Sequence, residues 1–343
     1  MTTKVDFLCL PSINGEIPIE VSPGTIAIPP ELRGRKVNVD SLAARHEGRI
    51  VKFDVQSNGD SFCLDWTHDR EFIIAGSAVN DAVGLAKLGS KVAISGAIGD
   101  DSWGGLLQSH IRQFGILDLC FERFTRTPVT ISLIEREGGS TLFCFKPPYT
   151  LEMSRALECL KRADPRYIVA TGVRKSEVEL IATLFAESSD KKHVFVPSGE
   201  LCQSPISPEL QRVLSHTDIL QVNCEEALSL LGENVSAEEA ADRLANLGPK
   251  VAIVTLGDRG SVAAAFHNGE RGILTQDALA ADVVDTTGAG DGFLVGFLWA
   301  DAKGLSHKQC LEAGSWVAAR NIEAIGGHGG MPTLEAFTET FPS

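Results

Sequence analysis

From Tyr167 onward the chain alternates short apolar runs with polar turns and helical stretches. Apolar runs at Tyr167–Ala170, His193–Val196 and Ile219–Val222 alternate with helical segments at Ser176–Phe185 and Pro208–Leu214, after a first helix near Met153–Lys161. Such runs are too short for helices and show no polar face, so they read as strands covered on both sides. Connections of helical length between them imply right-handed crossovers and a parallel sheet with helices on both faces. The same reading extends backward and forward. Val5–Leu10 is expected as a buried strand closed by the turn Pro11–Glu16, Val92–Ile98 as a strand leading into a helix that ends near Phe114-Gly115, and Val251–Val254 as a further strand.

Two regions break this rhythm. Between about Pro18 and Phe72 lie the turn formers Pro23-Gly24 and Pro29-Pro30, the basic group Arg33-Gly34-Arg35-Lys36, and alternating segments Arg49–Val55 and Ser61–Trp66 around Asn58-Gly59. An Asn-Gly pair between alternating runs is a hairpin signal. The basic group either binds a phosphate or is a solvated turn, the usual state of a charged loop. A second hairpin is expected from Pro128–Ile134 and Thr141–Phe145 across Glu137–Ser140, in a position to pair with the earlier β element as a separate sheet.

The chain has 343 residues, 43% of them hydrophobic, enough for one large α/β domain or two domains. Its 31 Lys+Arg against 45 Asp+Glu give a net charge of −14, which disfavours nucleic acid and anionic membrane as partners. The eight cysteines are scattered, with no C-x-x-C pair, and read as reduced thiols. Met1–Leu10 lacks the pattern of a signal peptide, and no apolar run approaches the roughly 20 residues that span a bilayer. A cytoplasmic location is expected.

The chemistry concentrates in Asp285-Thr286-Thr287-Gly288-Ala289-Gly290-Asp291-Gly292-Phe293, which follows the apolar run Leu279–Val284 and opens onto Leu294–Ala300. It is expected where a strand hands over to a helix. Unpaired N–H groups at a helix start, approached closely through glycines, hold an anion. Asp291 puts a carboxylate into that anion site, as a base taking a hydroxyl proton would. Asn223-Cys224-Glu225-Glu226 follows a strand and opens a helix; Asn223 and Glu226 fit a capping box, or Glu226 helps hold the waters of Mg²⁺. Thr255–Gly260, with Gly257 and Gly260, follows another strand and either approaches phosphates or is a tight turn. Gly76 and Asn80 open a helix at small residues, and Asn14 and Glu16 sit in the turn beyond the first strand, where ligands of open parallel sheets bind. No G-x-x-x-x-G-K-[ST] is present, and the glycine spacing of Gly288–Gly292 does not fit a dinucleotide fingerprint.

With these residues in order, the sequence resembles the pfkB family of carbohydrate kinases, the ribokinase-like family, from about Asn14 to Pro332. Asp285–Asp291 is similar to its C-terminal signature and Gly76–Gly104 to its N-terminal signature region, with Asn223–Glu226 and Thr255–Gly260 as supporting matches. The resemblance implies an α/β fold, a three-layer αβα sandwich with a mostly parallel sheet, in a single domain over 1–343 with a small β lid from about 18–72 and 121–147. It implies transfer of the ATP γ-phosphoryl group to a hydroxyl of a small sugar. Asp291 would be the base, the backbone of Gly288, Ala289 and Gly290 the anion hole, and Asn223 and Glu226 the organisers of Mg²⁺ and phosphates. Thr255, Gly257 and Gly260 would line the nucleotide site, and Asn14, Glu16, Gly76 and Asn80 the acceptor site. Asp285 and Thr287, with Gly326–Gly330 nearby, would suit a monovalent cation such as K⁺, and the enlarged lid a homodimer. Ala75-Gly76 stands where the family has Gly-Gly, Glu16 where it has aspartate, and Pro197–Glu200 departs from the family pattern, so the acceptor stays open. A nucleoside kinase of the same fold and a catalytically silent binding module are the competing readings.

Overall fold

Period-two alternation divides the strand side chains between two cores. In a computed structural model, Phe7 and Cys9 enter one buried apolar cluster while Leu8 and Leu10 enter another. Tyr167 and Val169 alternate with Ile168 and Ala170 in the same way, as do Val251 and Ile253 with Ala252 and Val254. Successive strand residues point to opposite faces, so a sheet apolar at every position must be covered twice. The structure describes residues 2–11, 14–21, 36–39, 41–47, 50–57, 60–66, 73–120, 122–124, 126–135, 140–145, 152–267 and 270–341.

The chain opens with β1 (Phe7–Pro11), β2 (Asn14–Val21), β3 (Lys36–Val39), β4 (Ser41–Glu47), β5 (Ile50–Ser57), β6 (Asp60–Trp66) and β7 (Ile73–Ala75), then α1 (Ser77–Lys87). Next come β8 (Val92–Ile94), β9 (Ala97–Gly99), α2 (Ser102–Gln113), β10 (Leu117–Asp118), β11 (Glu122–Phe124), β12 (Val129–Glu135) and β13 (Ser140–Phe145). The alternating half holds α3 (Met153–Ala163), β14 (Tyr167–Val173), α4 (Val178–Ala186), β15 (Lys192–Pro197), α5 (Pro208–Ser215) and β16 (Ile219–Asn223). It continues through α6 (Cys224–Leu231), α7 (Ala237–Ala245), β17 (Val251–Thr255), β18 (Ser261–His267) and β19 (Glu270–Gln276). Three helices close the described chain: α8 (Ala289–Ala302), α9 (His307–Asn321) and α10 (Leu334–Thr340).

Among the described residues the main sheet has the order β10-β8-β1-β14-β15-β16-β17-β18-β19. It is parallel from β10 to β17 and antiparallel across β17, β18 and β19. Residues of α1, α8 and α9 build one core and those of α4, α5 and α7 the other, which makes the expected αβα sandwich. Local chemistry starts several of these helices: Ser207 caps α5 with Pro208 at the first position, and Ser306 and Gln309 form a capping box on α9.

Both expected hairpins are present as strand pairs, β5 with β6 and β12 with β13, both antiparallel. They do not share a sheet. The second joins β2, β3 and β7 in the order β3-β13-β12-β2-β7, whereas the first pairs with β4 in a three-stranded sheet. The turns Asn58-Gly59 and Glu137–Gly139, and the basic residues Arg33 to Arg35, lie outside the described residues.

Two strand expectations are corrected. Val92–Ile98 is not one strand: β8 pairs with β1 and β10, then the chain turns at Ser95-Gly96 and β9 pairs with β11. Leu279–Val284 is not a strand at all but an irregular segment. The sheet edge at β19 has already ended at Gln276, and apolar side chains of this run are used elsewhere, with Leu279 39% and Val283 58% exposed.

Candidate active site

The helix α8 begins where three other segments fix the backbone. The amides of Val284 and Asp285 donate to the Ile322 carbonyl at 2.8 and 3.2 Å. The buried Asp285 carboxylate then accepts from the Thr287 amide at 2.9 Å through Oδ1 and from the Gly326 amide at 2.9 Å through Oδ2. Gly288, at φ 74°, starts the helix in a left-handed conformation, and a Cβ there would fall 2.1 Å from the Gly327 carbonyl oxygen. Only glycine fits such a position. Asn321 Nδ2 donates to the carbonyls of Gly288 at 3.1 Å and Gly327 at 3.0 Å, and Gln221 Nε2 donates to the Gly290 carbonyl at 2.9 Å. The result is a helix start pinned from several sides, with the Ala289 amide turned back to the Thr286 carbonyl at 3.2 Å; the N–H groups that a helix start leaves outside its own ladder are the arrangement that holds an anion.

A cavity of about 620 Å³ opens beside this turn. Ala289 and Gly290 form part of its wall, together with Thr255 at the end of β17 and Gly257 and Gly260 from the loop after it. Leu279, Val283, Phe293 and Ile322 supply apolar surface to the same space. The Leu279–Val284 segment, lost as a strand, is therefore a cavity wall. Its exposed apolar side chains suit the flat face of an aromatic heterocycle, and the glycines suit phosphate oxygens.

On the other side of Gly290, Asp291 faces a different set of groups. Asn80 Nδ2 donates to Asp291 Oδ2 at 2.7 Å, and His328 Nδ1 lies 2.9 Å from Asn80 Oδ1. His110 Nε2 lies 3.0 Å from His328 Nε2. Burial, with His110 and Lys87 nearby, pulls the pKa of His328 down to about 3. Asp81, the next residue of α1 after Asn80, is fully buried. Burial first, and the Asp291 charge second, push its carboxyl well above the usual carboxylate range. The Thr171 hydroxyl lies close enough to draw it back slightly, yet neither group finds a partner of ordinary hydrogen-bond geometry.

Several of the sequence-selected residues meet here. Thr255, Gly257, Gly260, Ala289 and Gly290 share the cavity, and Asn80 and Asp291 share a hydrogen bond. Gly76 precedes α1 at φ 102°, and the register of β2 on β7 sets Asn14 opposite Ala75 and Glu16 opposite Ile73, beside Gly76. The side chains of Asn14 and Glu16 lie outside the described residues. Asn223 and Glu226 do not line the cavity; they form the capping box of α6, with Glu226 Oε2 accepting from the Asn223 amide at 2.9 Å and Asn223 Oδ1 from the Glu226 amide at 2.8 Å. Among the described residues no group of three or more His, Cys, Asp or Glu side chains is arranged to hold a metal ion. A metal carried on phosphates asks for fewer protein ligands than that. Sequence reasoning missed Gln221, Asn321, His328, His110 and Asp81.

A helix start that presents the Asp291 carboxylate beside a cavity lined by glycines is a candidate group-transfer site. The chain belongs to the pfkB family of carbohydrate kinases, whose model matches residues 55–334. It is accordingly a phosphotransferase with an alcohol group as acceptor. It is 27% identical over 272 residues to a ribokinase of Bacillus subtilis, covering 77% of this chain and 86% of that protein. Among solved structures, a probable sugar kinase of Rhizobium etli superposes with a TM-score of 0.74 at 22% identity, over 99% of both chains. The adenosine kinase of Sinorhizobium meliloti does so with a TM-score of 0.72 at 21% identity, over 99% of this chain and 100% of that one. At such identities the structural matches establish the fold. Among the described residues no helix is long and apolar enough to cross a membrane.

Proposed function

We propose that the chain transfers the γ-phosphoryl group of Mg·ATP to a hydroxyl of a small sugar or sugar derivative, with Asp291 as the general base. One observation carries this reading: Gly290 lines the cavity, and Asp291, the next residue, turns its carboxylate to Asn80 on the other side. A phosphoryl group held at the helix start would thus lie between a nucleotide in the cavity and an acceptor hydroxyl at the carboxylate. Phosphoryl transfer needs alignment and charge stabilisation more than covalent chemistry, and these are the parts present.

In this reading the amides of Gly288, Ala289 and Gly290 receive the transferring group, and Thr255, Gly257 and Gly260 line the path of the nucleotide. Asn14, Glu16, Gly76 and Asn80 meet the acceptor. Mg²⁺ carried on the phosphates would neutralise their charge, with Glu226 and Asn223 reaching it through water. Asp285 and Thr287 would face a monovalent cation such as K⁺ through the loop that Asp285 ties to Gly326. The small sheets, spanning about 18–72 and 121–147, would close over the acceptor as a lid within a single domain and exclude water. The same sheets would be the surface for a homodimer, in a cytoplasmic enzyme.

The sugar assignment draws on the ribokinase relative and on the polar character of the groups around Asn80. The test is turnover of Mg·ATP across a panel of pentoses, hexoses and nucleosides. Phosphorylation of a sugar well above any nucleoside is expected. Preference for adenosine moves the assignment to a nucleoside kinase, and Mg·ATP binding with no acceptor turned over moves it to a silent binding module.

A further inference from the structure

We propose that His328 is a positioning residue for the phosphoryl transfer, holding the Asn80 amide that in turn holds the Asp291 carboxylate, with His110 donating to the far nitrogen of the ring in the form that does so. The inference rests on Asp291 being the base. It starts from the direction of each hydrogen bond. The Asp291 carboxylate can only accept, so the nitrogen of the Asn80 amide faces it and the amide oxygen faces His328. An amide oxygen cannot donate, so His328 must carry its proton on Nδ1.

The lone pair of a neutral His328 then lies on Nε2, 3.0 Å from His110 Nε2, which must donate. Every member of the series Asp291, Asn80, His328, His110 thereby has one assigned role. Charging His328 would reverse the last contact, forcing His110 to move its proton to Nδ1 or to oppose one N–H donor with another. Its pKa of about 3, set by burial and by the neighbouring His110 and Lys87, keeps it neutral at pH 7.

Packing prevents the amide from escaping this arrangement. A Cβ at Gly327 would lie 2.3 Å from Asn80 Nδ2, so the amide rests directly on the glycine backbone. Lys87 Nζ donates to the carbonyls of His328 at 3.2 Å and Met331 at 3.0 Å, tying the glycine-rich loop to the helix that carries Asn80. The carboxylate is aimed by an amide, and the amide by a ring. Because the reaction tolerates little misplacement of reacting groups, release of the ring should appear in turnover.

His328→Phe keeps an aromatic ring and removes the donor; His328→Asn places an amide nitrogen about where Nδ1 stood. ADP release from Mg·ATP is followed with D-ribose, D-fructose and adenosine together in the assay. The Phe variant is expected to lose about 10- to 100-fold in kcat with KM for ATP unchanged, and the Asn variant to recover most of that loss. Full activity in His328→Phe, or no recovery in His328→Asn when both melt like wild type, overturns the proposal. Long-range ¹H–¹⁵N spectra of the unmodified protein give an independent reading. They should show His328 as the Nδ1–H tautomer at pH 7, and an Nε2–H or doubly protonated ring overturns the proposal without any variant. Asp291→Asn runs in parallel; if it turns over like wild type, the base assignment fails whatever His328 does.

Discussion

The two sides of the Gly290–Asp291 peptide are built from different materials. Toward the cavity the surface is main chain and small residues: Ala289, Gly290, Gly257, Gly260 and the amides of a helix start. Toward Asn80 it is a chain of side chains, Asp291, Asn80, His328 and His110, brought in from α8, α1, the glycine-rich loop and α2. A phosphate is the same object in every kinase, and main-chain amides suffice for it. An acceptor hydroxyl has to be met by one carboxylate at one angle. In the proposed reading, the side that would handle the common group is backbone, and the side that would handle the particular one is side-chain packing.

That contrast can be broken from either side. The largest effect on stability is expected on the backbone side. Gly288→Ala would put a side chain at φ 74° and a Cβ 2.1 Å from the Gly327 oxygen, so the turn must shift. We expect a stability loss on the order of 1–3 kcal/mol and a turnover loss of about 100-fold, read by thermal unfolding and initial rates. If Gly288→Ala were as active as wild type, the main chain would not be the cradle described here.

A smaller effect is expected from Asp81, on the side-chain side. Its folded-state pKa is raised, so it contributes stability that is fully present below the unfolded carboxylate pKa of about 3.9 and lost as pH rises through the folded value. Asp81→Asn keeps a neutral side chain and cannot ionise. Denaturation midpoints should therefore decline less from pH 5 to pH 8 in the variant than in wild type. Equal slopes would mean that Asp81 ionises without cost, contrary to its burial.

The smallest effect on stability is expected at Glu226, where the two materials mix. Glutamine can also close a capping box, so Glu226→Gln should melt within about 0.5 kcal/mol of wild type. The altered property should be the Mg²⁺ concentration needed for half-maximal rate. An unchanged metal titration would leave Glu226 as a helix cap alone.

The same contrast explains what could be read in the sequence. The anion site at Gly288–Asp291 and the turns at Asn223–Glu226 and Thr255–Gly260 are local, since a glycine beside a helix start constrains its own few residues. The parallel sheet is legible for a similar reason, because strand and helix periods are properties of short windows. The partners of Asp291 are not local. Asn80 is 211 residues away, and His328 is 248 from Asn80, so no window contains both ends of either bond. Gly326–Gly330 stood out for its glycines while the histidine within it carried no signal of its own. Leu279–Val284 was misread because an apolar run looks the same whether it enters a sheet or lines a cavity; the end of the sheet edge at Gln276 decides between them.

The central claim is that Asp291 takes the acceptor proton while the backbone beside it holds the phosphoryl group. Its most direct test is the rate of Asp291→Asn, measured together with the affinity for Mg·ATP, on the best acceptor of the panel. The account predicts a fall in kcat of about 10² to 10⁴ with nucleotide affinity nearly unchanged. Comparable turnover in variant and wild type would contradict it.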